Sequence, residues 1–420
     1  MKKLIYSLLV ILLLYFVPTK AASFFDDGID YNSLTVESIN AMIKQGADIN
    51  EKGEFKNTPL MMIVQENKDL DVIRALMIAG ANINSKNKAG ETAFHWAVMY
   101  NPNIDIITYL MQGVNINQKN KDGGTPLMYA AYNNNNPEIL TFLINSKAKL
   151  QTKNKLGLTA FMYAAYNKNP DIIKLLYDQT KDKATCISMK AKSNGYAPIH
   201  TASQYNPNTA ILDFIIKSGG NVNDRTNTGD TPLMVAANNE NSDIYQILLD
   251  AGARVNDVND NYITPLMAAA CYTQDPDVIH LLVNSGARIN DKDWEGQSAL
   301  IKASFFNRNL SVISALIVNG AKVTDKDKNG NCAIIHACSV DNPNYDIIDL
   351  LLKTGVNINA RYFDGMSLLM IVSLLNPDQK LNDFLIVHGA DSNLLDFEGH
   401  NARFYYEQAI NNPDLVQHAR

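Results

Sequence analysis

The 420-residue chain has little cysteine, little tryptophan and no excess of positive charge: 4 Cys, 2 Trp, and 37 Lys+Arg against 43 Asp+Glu, for a net charge of -6. Four cysteines without paired short spacing cannot supply the disulfide framework of a small secreted scaffold or a four-ligand zinc cluster. A net negative charge excludes the basic footprint of a nucleic-acid-binding domain. His-Glu-x-x-His, a P-loop, a dinucleotide glycine fingerprint and a Gly-x-Ser-x-Gly elbow are all missing, so an enzyme reading has no residue to rest on. Turn segments such as Asp257-Val258-Asn259-Asp260 lack the spacing and terminal Glu of a calcium loop. No catalytic residue, metal site or cofactor is expected. Asparagine is abundant, as in the run Asn133 to Asn136; it favours turns and helix caps, which predicts many short elements.

Met1-Lys2-Lys3 precedes an apolar stretch from Leu4 to Val17 and then Pro18-Thr19-Lys20-Ala21-Ala22. This is the order of a secretory signal, and residues 1–21 are predicted to be one. At 14 residues the apolar part is short for a bilayer-spanning helix of about 20. The expected location is periplasmic or secreted, the alternative being an N-terminal membrane anchor if the helix stays uncleaved. Removing Lys2, Lys3 and Lys20 with no acid takes the net charge from -6 to -9. Cys186, Cys271, Cys332 and Cys338 are expected to be free, buried thiols.

A Thr-Pro-Leu anchor then recurs along the chain. It begins at Thr58, Thr92, Thr125, Thr159, Ala197, Thr231 and Thr264, and continues in altered form at Ser298, Cys332 and Ser367, at intervals of 34, 33, 34, 38, 34, 33, 34, 34 and 35 residues. The Thr caps a helix and the Pro occupies its first position, where a missing N–H is harmless. A small residue follows three places after the Leu (Ala97, Ala130, Ala164, Ala202, Ala236, Ala269, Ala303, Ala337), allowing close helix approach. Asn-Pro or Asp-Pro at 101, 136, 169, 206, 275 and 342 is predicted to cap a second helix, whose apolar pairs, such as Ile172-Ile173 and Leu175-Leu176, form one buried face. That helix ends at Gly-Ala-Asp-Ile-Asn (Gly46–Asn50) or a variant of it, the glycine suited to a left-handed terminus.

The ordered recurrence of cap, small pair, second-helix core and Gly-Ala-Asp-Ile-Asn ending resembles the ankyrin repeat. The resemblance covers about residues 33–418: ten units with a first-helix anchor, a lone second helix at Ser33–Gln45, and a first helix with the start of a second from Asn401. It implies an all-α solenoid of helix-turn-helix units with β-turn fingers and a concave face, and a protein or extended-peptide partner rather than nucleic acid or a small-molecule cofactor. The chain departs from the family pattern in three ways. Met61, Met128, Met162, Met234 and Met267 stand where the family has His; Tyr262 occupies a finger glycine position; and residues 178–192 are predicted to form an inserted loop. His95 and His200 occupy the family's cap-stabilising position, and His336 is expected to be packed.

The two residues after the small pair line the concave face by the same resemblance. Six of seven consecutive pairs there carry an aromatic: Tyr100, Tyr132, Tyr166, Tyr205, Tyr272 and Phe305 with Phe306. Trp294 belongs to the same candidate protein-binding set, and with Phe363 and Phe397 lies near finger tips. Aromatics are common interface anchors, but these rings can also cover the Asn-Pro loop of a neighbouring unit. The expected function is a non-enzymatic protein–protein interaction scaffold of bacterial type, with a membrane-anchored envelope spacer or a host-directed secreted effector as alternatives.

Overall fold

The structure, a computed structural model, describes residues 21–412. The predicted signal segment and the chain beyond Asn412, including any second helix after Asn401, lie outside the described residues. The chain separates into two compact units, one of residues 1–186 with 191–193 and one of residues 187–190 with 194–420. Among the described residues there is no strand; two isolated antiparallel bridges join Lys326 to Cys332 and Arg361 to Ser367. No described helix is long and apolar enough to cross a membrane.

In each unit, helices alternate between two kinds. A first helix follows each anchor, as in Pro126–Asn133, and a second follows the polar loop, as in Pro137–Asn145. The first unit opens on Val36–Lys44, the expected lone second helix, and the second unit closes on Ala402–Asn411. First helices pack on first helices of the next repeat and second on second. The reason is visible in the Thr125 repeat. The Thr125 hydroxyl accepts from the Met128 N–H at 3.4 Å, and Pro126 sits in the first turn. Leu127, Met128, Ala130 and Ala131 are then buried, with Ile139, Leu140 and Leu143 buried on the second helix. The small-residue column from Ala97 to Ala337 is at most 3% exposed throughout, so its shortness sets the helix spacing.

Most second helices end on left-handed residues, glycine at Gly80 (φ 94°) and Lys147 (φ 71°) where a repeat lacks it; Ile104–Met111 and Pro170–Gln179 do not. At the finger position, Tyr262 takes φ 59°, a conformation that favours glycine. The predicted loop at 178–192 contains a short helix, Lys183–Ser188, with Cys186 and Ile187 buried; the segment shows no apolar periodicity long enough to announce it. All four cysteines are free and buried.

The asparagines do more than cap. Asn136 and Asn169 cap their second helices as expected, but Asn101, Asn206 and Asn342 do not: there the cap lies two residues on, at Asn103, Asn208 and Asn344. Asn101 and Asn206 are instead buried at the first-helix terminus, whereas Asn342 is exposed with φ 55°. The Asn134 amide donates to the Val98 and Asn101 carbonyls of the previous repeat at 2.8 and 2.9 Å, and its Oδ1 accepts from the Asn136 N–H at 3.0 Å. The same three bonds recur at Asn101 and Asn167, and in the second unit at Asn239 and Asn307. The capping asparagines add a second tier, Asn136 donating to the Pro102 carbonyl at 2.9 Å. A third forms at the repeat ends, where Asn256 donates to the Gly286 carbonyl and accepts from the Arg288 N–H, both at 2.9 Å.

Buried carbonyls without donors cost about 1–3 kcal/mol each. Asn134→Ala is therefore expected to destabilise the protein by about 2–4 kcal/mol in urea denaturation. Asn134→Asp, nearly the same shape, is expected to do at least as much damage, because a carboxylate would face two carbonyl oxygens. An Asp variant as stable as the parent would show that the two donated bonds contribute nothing.

Candidate functional site

Fourth after each cap, the first helix places a side chain that reaches back to its own finger, repeatedly to the residue nine positions earlier. Asn120 donates to the Tyr129 hydroxyl at 2.8 Å and Asn154 to the Tyr163 hydroxyl at 3.0 Å. In the second unit the finger partner is a carboxylate: Lys302 to Asp293 at 2.6 Å, His336 to Asp327 at 2.8 Å, and the Tyr405 hydroxyl donating to Asp396 at 2.5 Å. The finger residues are themselves turn makers. Asn120 Oδ1 accepts from the Asp122 and Gly124 N–H groups, as Asp293 Oδ1 does from Glu295 and Gln297. This column locks finger to helix. Sequence reasoning missed it because its members (Trp96, Tyr129, Tyr163, Lys302, His336, Tyr405) share no residue type; the fixed spacing of nine was the available signal.

His336 is thus half-buried and bonded to Asp327, not simply packed as expected. In the first unit the column gathers around Glu91. This carboxylate accepts from Trp96 Nε1 and Asn87 Nδ2, both at 2.9 Å, and from the Tyr129 hydroxyl. Burial raises its pKa, but the hydrogen bonds from Tyr129, Trp96 and Asn87 outweigh that and hold it below the ordinary carboxylate value. Burial and the same carboxylate push the Tyr129 hydroxyl up, so it stays a donor.

The candidate rings lie beside this column and turn outward. Tyr132 is 40% exposed and packs its ring 5.9 Å from Tyr163 and 5.6 Å from Tyr166, which is half-buried. Tyr100, equally exposed, stands edge-on to Trp96 at 6.2 Å and, with Pro102, flanks the 133–137 loop of the next repeat. Tyr205 is exposed in the second unit. There Tyr272, Phe306 and Phe305 form a chain of ring contacts at 6.5 and 4.8 Å that continues to His336 at 6.0 Å. Phe305, Phe306, Ile335 and His336 line a hollow of about 410 Å³, room for a partner side chain. Trp294 is not on this wall. It sits in a finger, stacked on Tyr262 at 6.3 Å with the Lys328 ammonium 4.4 Å from its ring centre. Tyr and Phe bodies exposed beside a filled core are the features of an interaction surface. Among the described residues, no group of three His, Cys, Asp or Glu is placed to hold a metal ion.

His95 and His200 hold their helices to the following finger. The Thr92 N–H donates to His95 Nδ1 at 3.2 Å, and His95 Nε2 lies 3.1 Å from the Gln118 carbonyl; His200 repeats this with the Ala197 N–H and the Asp224 carbonyl, both at 3.2 Å. A backbone N–H on one nitrogen and a carbonyl on the other require the neutral ring with hydrogen on Nε2. In the Met61 and Met234 repeats a thioether takes the first bond, from the Thr58 N–H at 3.5 Å and the Thr231 N–H at 3.4 Å.

The family model described as Ankyrin repeats (3 copies) matches residues 30–120, 98–187, 183–259, 199–293 and 266–362. No curated protein matches the chain.

Burial lowers the pKa of both His95 and His200 below the ordinary 6.5. Above 6.5 the folded and unfolded chains are both neutral at these rings and the stability is fully present. As pH falls through that value the unfolded chain takes up protons that the folded chain refuses, and stability falls by up to about 1.4 kcal/mol per pH unit per ring until the folded pKa is reached. Urea midpoints are expected to drop between pH 7.5 and 5.5, and to drop less in the His95→Met, His200→Met variant. An equal slope in that variant would contradict the assignment.

Proposed function

The chain belongs to the ankyrin-repeat family, and from that premise we propose that it is a non-enzymatic scaffold that captures an extended segment of another protein after export from the cell. Ankyrin repeats mediate protein–protein interactions, and a solenoid's successive units offer a long, variable surface for this. The observation that carries the reading is the placement of Tyr132, Tyr166, Tyr272, Phe305 and Phe306. Their repeats bury the core positions with other side chains, so these rings contribute only their mutual packing to the fold. Rings with an apolar body and, for Tyr, a polar tip give large contact area at low entropic cost. Export rests on the order Met1-Lys2-Lys3, Leu4 to Val17, and Ala21-Ala22.

Tyr132→Ala with Tyr166→Ala is expected to leave the circular dichroism unchanged and lower stability by about 1–2 kcal/mol, the worth of the aromatic pairing around Tyr132. The same variant is expected to lose a crosslinked partner that the parent retains in pull-downs from the exported fraction. Collapse of the melting transition would make the rings structural. N-terminal sequencing of exported protein is expected to begin at Ala22 or Ser23; an intact Met1 there would overturn the processing step.

A further inference from the structure

The charge of this acidic chain is unevenly divided. Residues 21–186 with 191–193 carry 18 Lys+Arg against 17 Asp+Glu, whereas residues 187–190 with 194–420 carry 16 against 26. The difference concentrates in the fingers. Three consecutive fingers of the first unit read Lys-Asn-Lys, at Lys86-Asn87-Lys88, Lys119-Asn120-Lys121 and Lys153-Asn154-Lys155. The central residue is turned inward and makes the turn: Asn87, Asn120 and Asn154 accept from the Glu91, Gly124 and Leu158 N–H groups at 2.9, 2.7 and 2.9 Å. All six flanking lysines are exposed.

In the second unit the same inward position is Asp at 293, 327 and 396, and it makes the same turn bonds. Either residue serves the turn, so the choice decides the charge. At Lys326-Asp327-Lys328 a carboxylate sits between the lysines; in the first unit a neutral amide does, and of the three amides only that of Asn87 is bonded to a carboxylate, Glu91. Among the described residues, none of the six makes an ion pair; Lys88 lies over the Phe55 ring at 5.3 Å, and Asp122 is the one acid within these three tips.

The rows are held in register by a backbone ladder. The Lys88 N–H donates to the Phe55 carbonyl at 2.7 Å, Lys121 to Ala89 at 2.9 Å, Lys155 to Asp122 at 2.8 Å and Lys192 to Leu156 at 2.7 Å. Each tip is thus fixed to the one before, and successive lysines advance with the repeats, about 10 Å at a time. An extended chain covers about 10 Å in three residues.

We infer that the finger tips of the first unit are a docking surface for an extended acidic protein segment carrying a carboxylate at about every third residue. Charge complementarity and the matched spacing select this occupant. A phosphate polymer fits less well: every cation in these tips is lysine, with none of the planar arginine forks suited to phosphate. This deepens the protein-binding reading and rests on it.

The test uses the full chain and three fluorescein-labelled probes at low salt: a twelve-residue peptide with Glu at every third position, a peptide of the same composition with its four Glu contiguous, and a twelve-nucleotide oligothymidine. The spaced peptide is expected to bind most tightly, severalfold better than the clustered one. Its affinity is expected to fall at least tenfold in Lys88→Gln/Lys121→Gln/Lys155→Gln/Lys192→Gln, with a flatter salt dependence. Asn154→Asp keeps every lysine and can take the pairing that Tyr405 and Asp396 already make in the second unit, and is expected to weaken binding with unchanged circular dichroism. Should either variant unfold, the other decides. No binding, equal binding of both peptides, preference for the oligothymidine, or salt-sensitive self-association of the parent that accounts for the charge effect would each overturn the proposal. Tyr132→Ala/Tyr166→Ala is expected to retain the spaced peptide. Loss there with the lysine variant unaffected would overturn the finger site while leaving the protein-binding function standing.

Discussion

Each first helix ends by turning its last carbonyls into the junction with the next repeat, where water does not reach. At most junctions the next repeat answers with one buried carboxamide; Thr273 and Val340 stand there in two repeats. Asn101, Asn134 and Asn167 each donate twice backward and accept once forward. Only an amide has both the donors and the acceptor for this position. Apolar packing between first helices supplies the driving force, but it is indifferent to sliding and rotation; the carboxamides fix which carbonyl meets which repeat. The fingers, the ring positions and the left-handed helix ends all take their register from that junction. This also accounts for the asparagine content: the side chain acts at the first-helix end, at the second-helix cap, at the repeat end and inside many fingers.

With register set by asparagine, the first-helix surface is free to vary. The column nine residues after each finger residue illustrates this. In the first unit Tyr129 and Tyr163 meet the amides of Asn120 and Asn154, and in the second Lys302 and His336 meet the carboxylates of Asp293 and Asp327. Both versions tie finger to helix, yet they leave surfaces of opposite electrostatic character. Buried ion pairs of the Lys302–Asp293 type are costly to desolvate and contribute fixed geometry more than net stability. The same scaffold therefore carries two differently charged units without changing how its repeats join.

The period, the caps, the small-residue column and the helix-ending glycines were legible in the sequence, because each is a local requirement met by few residue types. The lone second helix before the first anchor was legible for the same reason, its Thr35 cap and Val36–Lys44 span falling within the expected segment. The asparagine roles were legible only in part. Asn-Pro at 101 and 206 looks like a cap and first turn, but the Asn-x-Asn spacing hands the cap to Asn103 and Asn208 and buries the earlier residue. The helix Lys183–Ser188 was hidden by its shortness. The ring positions were readable as a column; the grouping of Tyr132 with Tyr163 and Tyr166 needed the packing of neighbouring repeats to bring them together.

The buried carboxamides can be observed without altering the protein. Selective labelling of asparagine side chains and hydrogen exchange followed by NMR report on each amide group separately. Closed bonds to Val98, Asn101 and their equivalents require the side-chain protons of Asn101, Asn134 and Asn167 to exchange orders of magnitude more slowly than those of exposed asparagines such as Asn133. Exchange at the exposed rate for these three side chains would contradict the account, and with it the claim that asparagine sets the register of the stack.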